Sequence, residues 1–335
     1  MYAVLGVTLN LEYGYSGQLN FGKVLFYGLG AFSAGIIVAY LLPYFYGIAN
    51  PPDMCGAQAV QFRFQAGSSD PQLAFLIFII CIVVGAGVAA GFGLILALPA
   101  MRISEGFVLG IVLLVAGEAV RIITANYNAI VCGYQGLSGV PNPFSSLQSS
   151  FLANSGVSFL IMAFAAAVFL YVNRLSNSPY GRMLRSIRDD PVASEVYGKF
   201  INKSRIRVLI IGSAISGIAG VLYVFYVGYI SSTDFIPDLT FQIWVMMILG
   251  GTGNNKGVLL GTLVLTGINE ATAILTTQLQ FNQFYVGISS QLNYLRFIIE
   301  GVILILILLY RPGGILPEKP IRTTAFKRPR DGKTD

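Results

Sequence analysis

Residues 73–98 read LAFLIFIICIVVGAGVAAGFGLILAL, and none of their side chains is charged. A helix that crosses the hydrocarbon core of a bilayer needs about 20 largely apolar residues, so this stretch is long enough to span a membrane. The composition of the whole chain agrees, because 55% of its 335 residues are hydrophobic and only 11% are charged. Soluble domains carry about 25% charged residues. The sequence therefore indicates a membrane protein and argues against a soluble enzyme.

Further apolar stretches indicate that the chain crosses the membrane many times. The strong candidates besides 73–98 are 24–43, 104–124, 155–174, 206–229, 257–278 and 292–310. Two shorter apolar segments, 1–11 and 239–250, run into glycine-rich polar stretches at Glu12–Gly22 and Gly250–Lys256. We therefore predict an all-α, polytopic membrane helix bundle, with about nine spans including broken helices, in a single domain over residues 1–335.

The formal net charge of +6 is unevenly distributed, and its distribution predicts the orientation of the chain. Fifteen of the 21 Lys and Arg residues fall in 174–207 and 311–335. Because positive residues accumulate on the cytoplasmic side of membrane proteins, we predict a cytoplasmic loop over 176–204 and a basic cytoplasmic tail over 311–335. No aromatic residues are interleaved with these basic residues as a base-stacking surface requires, so the sequence does not predict a nucleic-acid partner.

The same rule orients the remaining segments. Lys23 and Lys256 are expected to mark inner ends of helices, and the N-terminus is expected outside. Loops 44–72 and 125–154 are then outside. We also find no removable signal peptide, so the spans themselves are expected to direct insertion.

Histidine and cysteine usage limits the chemistry that the chain can perform. Histidine is absent, which removes histidine-based catalytic triads and histidine-ligated zinc or haem. Cys81 lies in an apolar span, whereas Cys55 and Cys132 lie in the two outer loops, where the sequence leaves a disulfide open. No spacing typical of a metal site is present, so no metal or other cofactor is expected.

The glycine-interrupted segments are the best candidates for a solute pathway. Broken helices at membrane depth occur only where they are buried in protein or line a watery cavity, and their free ends can hold a charged or zwitterionic solute. The alternative is that these glycines only allow close helix crossings. The predicted pathway residues are Asn10, Glu12, Tyr15, Ser16, Gln18, Asn20, Gly250, Gly251 and Glu270.

Ionisable residues within spans are the second guide to function, because charge at membrane depth is costly. Glu118 and Arg121 are one helical turn apart and are expected to pair. Glu270 has no partner within a turn, so it is expected to line the path or to pair with another helix. Glu270→Gln should therefore alter transport more than Glu118→Gln does. Arg296 and Glu300 also lie within a span.

Residues 178–198 read SPYGRMLRSIRDDPVASEVYG and predict two short helices in the inner loop. Met183, Leu184 and Ile187 form an apolar helical face among arginines. Asp190 before Pro191 is typical of a helix start, and Gly198 is expected to end that second helix. A short amphipathic helix on a cytoplasmic loop suits docking into a groove on a partner protein.

This loop resembles the one in permeases of ABC importers whose short coupling helix engages the ATP-hydrolysing subunit. Other motifs resemble one branch of that class, the branched-chain amino acid (LivM-type) permeases, over nearly the whole chain. These motifs are Asn10-Leu-Glu-Tyr-Gly14 with Gly17-Gln-Leu-Asn-Phe-Gly22, Gly28-Leu-Gly-Ala-Phe32, Leu98-Pro-Ala-Met-Arg102 with Phe107, Gly117-Glu118 and Arg121, Gly136-Leu-Ser-Gly-Val-Pro141, Gly217-Ile-Ala-Gly220, Gly250-Gly251 with Gly257 and Gly261, and Arg311-Pro-Gly-Gly314.

The resemblance implies a permease subunit in the cell membrane that moves branched-chain or related amino acids. Its implied partners are ABC ATPase subunits, a second homologous permease, an extracellular solute-binding protein and membrane lipid. The coupling residues that it implies are Arg182, Arg185, Asp189, Asp190, Pro191, Ala193, Glu195 and Gly198. Replacement of Gly198 or Glu195 is expected to uncouple transport without preventing insertion. Lys23 departs from the histidine-containing variant of the family motif.

Several other functions stay open on sequence grounds. Related ABC permeases handle urea or short amides, and an ion-coupled secondary amino acid transporter could use Glu118 and Glu270. A passive channel would carry solute without ATP. A membrane enzyme would need a catalytic constellation, and the sequence offers none. The chain also lacks the phosphate-binding GxxxxGK[ST] loop, so ATP hydrolysis by the chain itself is not expected.

Overall fold

The computed structural model describes residues 1–48, 55–100, 106–145, 150–280 and 286–318, and most of these residues are helical. Some positions discussed above fall outside it, namely Met101, Arg102, the tail residues 319–335 and the side chain of Arg296. The helices are α1 Tyr2–Leu9, α2 Lys23–Phe45, α3 Ala57–Ser69, α4 Pro71–Ala100, α5 Gly106–Asn126, α6 Asn128–Val131, α7 Ser150–Asn177, α8 Pro179–Asp189, α9 Pro191–Val196, α10 Ile201–Val227, α11 Pro237–Gly250, α12 Asn255–Gln280 and α13 Val286–Tyr310.

Shorter elements complete the fold. A π-helical segment, Asn10–Tyr15, continues α1. Two single-turn 3₁₀ helices cover Gly133–Gln135 and Ser232–Asp234. The strands β1 Leu137–Ser138 and β2 Tyr229–Ile230 pair antiparallel. The prediction of an all-α bundle is thus confirmed.

In the described part of the chain, six helices contain a stretch that is long and apolar enough to cross a membrane. These helices are α2, α4, α5, α7, α10 and α12. Helices cover most of the described residues in each of the nine apolar segments found in the sequence, but only six meet the length and hydropathy of a span, so the count of about nine holds only approximately. The helix α11 has 14 residues and is about 21 Å long at 1.5 Å per residue. Because the hydrocarbon core is about 30 Å thick, neither α11 nor the shorter α1 spans it alone.

The centre of the bundle is formed by α2, α4 and α10, which pack closely through small residues. A methyl group added at Gly30 of α2 would lie 2.0 Å from the carbonyl oxygen of Gly217 in α10. One added at Gly220 would lie 1.9 Å from the carbonyl oxygen of Tyr27. The close crossings that glycine permits in membrane helices are therefore found here, between complete helices.

Large apolar side chains cover the outside of the bundle. Val83 and Ile95 on α4, Phe159 on α7 and Leu263 on α12 are all exposed, with no other part of the described chain packed over them. Exposed apolar surface of this extent indicates contact with lipid or with partner subunits.

The two loops predicted to lie outside are joined to each other. Cys55 and Cys132 form a disulfide, which settles the pairing that the sequence left open, and Cys81 is a buried free thiol. The Arg63 side chain of α3 donates a hydrogen bond of 2.8 Å to the carbonyl oxygen of Ser138 in β1. We call this side of the molecule the outer side, and the side carrying α8 and α9 the inner side.

The inner loop forms the two helices expected from its sequence. In α8, Leu184 and Ile187 are buried, as the apolar face predicts. The Ser178 hydroxyl accepts a hydrogen bond from the Gly181 amide at 3.3 Å. The Asp190 carboxylate accepts one from the Ala193 amide at 3.0 Å, so Asp190 caps α9 with Pro191 in its first turn. The predicted capping is thus confirmed.

Candidate functional site

The two interrupted segments meet in the structure through residues that are 243 and 245 positions apart in the sequence. The Asn10 side-chain amide donates to Oδ1 of Asn255 at 2.8 Å, and the Gly253 backbone amide donates to Oδ1 of Asn10 at 2.8 Å. Gly14 lies so close to Gly253 that an added methyl group would be 2.7 Å from the Gly253 nitrogen. We call these four residues, Asn10, Gly14, Gly253 and Asn255, the inner junction.

The first break contains a buried ion pair. Lys23 Nζ lies 2.7 Å from Oε1 of Glu12, and both side chains are fully buried. The Asn20 side-chain amide donates to the second Glu12 oxygen at 2.8 Å, and Trp244 Nε1 donates to the Asn20 carbonyl oxygen at 3.0 Å. Glu12 and Asn20 therefore bind protein groups and hold the break in place.

Lys23 is predicted to mark the inner end of a helix, and the structure shows in addition that its side chain is buried. Lys23 does begin α2, but its ammonium group lies inside the protein against Glu12. The break between residues 15 and 23 folds the chain back on itself, and this brings the two charges together. Pairing offsets the cost of burying each charge, which the charge-distribution rule does not consider.

Other predicted pathway residues of the first break are also buried. Ser16 donates to the Glu12 carbonyl oxygen at 2.7 Å. The side-chain nitrogen of Gln18 is buried and has no hydrogen-bond partner in the part of the chain that the structure describes. Gln18 is thus the one of these residues with a free donor inside the protein.

The second break is closed by the segment 311–318, which follows α13. At the end of α11, the Ile315 amide donates to the Leu249 carbonyl oxygen at 3.0 Å, and the Leu316 amide donates to the Gly250 carbonyl oxygen at 3.0 Å. Gly251 has φ +115°, a conformation that only glycine adopts readily. The carbonyl oxygens of Leu249 and Gly250, at the end of α11, are therefore bonded to the chain itself.

The helix α8 is tied to the inner junction. The Arg188 guanidinium donates to the Gly14 carbonyl oxygen and, at 2.8 Å, to Glu318. Nε of Arg185 lies 2.9 Å from the other Glu318 oxygen, and its guanidinium carbon lies 4.9 Å from the centre of the Tyr15 ring. Burial alone would lower the pKa of Arg188, but its bonds to Asp189 and Glu318 outweigh burial and raise that pKa.

Glu318 is a site residue that the sequence analysis missed. It follows an irregular segment with no helical or strand periodicity, and its partners Arg185 and Arg188 precede it by 130 residues or more. The Arg311-Pro-Gly-Gly314 motif was the available signal, because it indicates a turn after α13 that returns the chain toward the bundle.

Next to α8, the short helix α9 exposes an apolar surface. Val192 and Val196 are 72% and 82% exposed, and Tyr197 and Phe200 beside them are equally open. We call these four residues the α9 patch. Gly198 ends the helix with φ +72°, as expected of a terminating glycine. Glu195 and Arg182 are exposed nearby.

The intramembrane acids differ in their partners. Arg121 Nε donates to Glu118 at 2.9 Å, so the predicted pair forms. Glu270 is exposed on α12 and forms no ion pair with any residue that the structure describes. Glu270 therefore stays a candidate for contact with solute or with another subunit.

These features define a multi-pass membrane protein with two interrupted helices joined to an inner-face protrusion. The chain matches the family model described as "Branched-chain amino acid transport system / permease component" over residues 1–308. It is 35% identical over 331 residues to the "Probable branched-chain amino acid transport permease protein LivM" of Methanocaldococcus jannaschii, covering 98% of this chain and 94% of that relative.

Two bacterial relatives are more distant. The proteins named "High-affinity branched-chain amino acid transport system permease protein LivM" of Escherichia coli and Salmonella typhimurium are each 26% identical over 339 residues, covering 95% of this chain and 68% of each relative. No solved structure matches. The chain belongs to the branched-chain amino acid transport permease family and is a multi-pass protein of the plasma membrane.

Proposed function

We propose that this permease is a membrane subunit of an ABC importer for branched-chain or related amino acids. Its partners are a second homologous permease, ABC ATPase subunits and an extracellular solute-binding protein. The names of the relatives support the solute class. The observation that carries the mechanism is the connection of α9, through α8 and Arg188, to both interrupted helices.

The α9 patch is the proposed contact with the ATPase. Val192 and Val196 are four residues apart, so they lie on one face of α9. Apolar side chains that are largely exposed to cytosol gain free energy when a partner covers them, at about 25 cal/mol per Å² of apolar surface buried. Docking of this helix into a groove on the ATPase is a helix-in-groove contact.

Movement of α9 has a short route to the transport path. A shift of α9 displaces α8, whose Arg188 holds Gly14 of the first break and Glu318 of the segment that closes the second break. Both breaks therefore respond to the same displacement. A partner changes the balance between inward-open and outward-open states only if it binds one of them more tightly, and a tenfold shift requires about 1.4 kcal/mol.

Within the chain, the proposed path residues fall into two groups. Asn10, Glu12 and Asn20 position the broken segment through bonds to protein groups. Gln18 and Glu270, which keep polar groups available, are the proposed contacts for solute.

Uptake by proteoliposomes tests the transport proposal. The complete complex should transport leucine, isoleucine or valine only when two conditions are met. ATP must be present on the side of the membrane where the ATPase lies, and the solute-binding protein must be present on the opposite side. If the complex preferred urea or short amides, the proposed solute class would be wrong, although the protein would still be an ABC importer subunit. Solute flux through the purified chain alone, or uptake driven by an ion gradient without ATP, would contradict the proposal.

Copurification tests the docking surface separately. Val196→Ser should reduce the amount of ATPase retained on the purified permease. Val227→Ser is the matched control, because it changes an exposed valine at the outer end of α10. Equal retention by wild type and both variants would contradict docking through the α9 patch.

A further inference from the structure

A polar cavity of about 520 Å³ opens beside the inner junction. Its walls come from the end of α7, from α8, from residues 253–256 at the start of α12, and from Tyr15 and Glu318. Cavities of roughly 300–1,000 Å³ are large enough to hold small ligands. This cavity is not the contact surface proposed for the ATPase, which is the α9 patch.

The charge of the cavity wall is predominantly positive. Arg182, Arg185 and Lys256 line it together with one carboxylate, that of Glu318. Both oxygens of that carboxylate are already paired, one with Arg185 and one with Arg188. Arg182 and Lys256 are exposed and form no ion pair with the residues that the structure describes.

The sequence after Glu318 is also basic. Residues 319–335 contain six Lys or Arg residues and two Asp residues. Among the residues that the structure describes, the cavity wall itself carries an excess of cations, which favours an anion from outside the chain as the group that balances Arg182 and Lys256.

The lining also distinguishes between classes of anion. Besides its charged groups it contains Asn173, Asn177, Asn254 and Asn255, and none of the described residues that line it has an aliphatic side chain that would contact a branched-chain amino acid. Guanidinium groups bind phosphate oxygens through paired hydrogen bonds. Three cations against one carboxylate leave an excess of positive charge, and a phosphate group presents four oxygens to these cations, whereas a carboxylate presents two.

We infer that this cavity is a binding site for a phosphate-bearing anion reached from the inner side. The phosphate group comes either from a soluble cytosolic compound or from the headgroup of an anionic lipid in the inner leaflet. A phosphate that contacts Arg182 and Lys256 links α8 to the first turn of α12. Its occupancy is therefore energetically coupled to the position of α8.

Titration of the purified full-length chain in detergent tests the soluble source, with pyrophosphate as the probe. Binding should be saturable and should weaken as salt is raised, because exposed charges are screened. Lys256→Gln removes one unpaired cation and should weaken binding about fivefold, the upper end of what an exposed ion pair contributes. Lys199→Gln, an exposed lysine on the same side that does not line the cavity, should leave binding unchanged.

Native mass spectrometry of the delipidated chain tests the lipid source, with phosphatidylglycerol and phosphatidylcholine as the probes. Selective retention of phosphatidylglycerol, lost in Lys256→Gln and kept in Lys199→Gln, supports the site with lipid as its ligand. Pyrophosphate binding with the same variant pattern supports it with a soluble ligand. Arg182→Gln provides a second variant if Lys256→Gln lowers the unfolding temperature. The inference is overturned if neither pyrophosphate nor phosphatidylglycerol binds, or if Lys256→Gln and Arg182→Gln leave their binding unchanged.

Discussion

At the scale of single residues, Glu12 and Lys23 form the most enclosed electrostatic contact described in this chain, with both side chains at 0% exposure. Removal of one partner from a buried pair leaves an uncompensated charge, which typically costs about 3–5 kcal/mol. We expect Lys23→Met to lower the free energy of unfolding in detergent by about that amount, whereas Glu12→Gln combined with Lys23→Met should recover most of the loss.

Arg121→Met is the matched control for this measurement, because the Glu118–Arg121 pair is partly exposed. Partly exposed pairs contribute about 0–1 kcal/mol, so a small effect is expected there. The result would contradict this account if the free energy of unfolding lost by the double variant equalled the sum of the losses of Glu12→Gln and Lys23→Met. The pair would then not be the source of the stability.

Glu270 and Glu118 allow a direct comparison of a free and a paired acid. Glu118→Gln should change amino acid uptake by less than about fivefold, since its charge is already balanced by Arg121 and such a pair contributes at most about 1 kcal/mol. Glu270→Gln should reduce uptake by more than that, because Glu270 is exposed on α12. Uptake rates in proteoliposomes check this, and equal rates for the two variants would remove the distinction.

The sequence predicted contacts between near neighbours and missed those made across a break. The pairing of Glu118 with Arg121 follows from a spacing of one helical turn. The pairing of Glu12 with Lys23 depends on the fold-back of residues 16–22, and the bonds of Glu318 depend on packing between distant segments. Neither arrangement has a local periodicity from which it could be predicted.

At the scale of elements, α9 is a six-residue helix that depends on its two ends. Gly198 has φ +72° with open space around it, so Gly198→Ala adds backbone strain without a clash. That strain is about 1–2 kcal/mol, which should shift the population of the folded α9 end roughly five- to thirtyfold. We expect reduced uptake while the protein still inserts and the ATPase still copurifies.

Gly47→Ala is the matched control for Gly198→Ala. Gly47 has φ +69° and is also surrounded by open space, but it lies beyond α2, on the outer side. The same backbone strain should leave uptake unchanged there. If both variants reduced uptake equally, the effect would reflect general destabilisation and not a role of α9 in coupling.

Elements with a clear pattern were predictable, and elements held by backbone contacts were not. The apolar spans, the apolar face of α8 and the cap at Asp190 all follow from residue types at regular spacing. The segment 311–318 closes the second break through backbone hydrogen bonds, which any residue other than proline could donate. The sequence alone could not tell a glycine that allows a close helix crossing from one that interrupts a helix. Gly30 lies at a crossing and Gly251 lies at a break, although both are glycine.

At the scale of the whole molecule, the account depends on the α8–α9 protrusion and the disulfide-linked loops lying on opposite sides of the membrane. Val196→Cys should react with a membrane-impermeant maleimide only in inside-out vesicles. Tyr134→Cys should react in intact cells, because Tyr134 is exposed beside the disulfide. Background labelling should be low, since Cys55 and Cys132 are bonded and Cys81 is buried. Labelling of Val196→Cys in intact cells would show that α9 lies on the outer side and would contradict this topology.

The central claim is that α8 transmits the action of the ATPase to both interrupted helices through Arg188. ATP hydrolysis and leucine uptake measured in the same proteoliposomes test it most directly, with Arg188→Gln compared with Arg174→Gln, an exposed arginine at the inner end of α7. We expect Arg188→Gln to keep the ATPase bound and hydrolysing ATP while uptake falls about tenfold, the effect of losing about 1.4 kcal/mol of coupling. Normal uptake by Arg188→Gln, or a proportional loss of hydrolysis and uptake with the ATPase still bound, would contradict the claim.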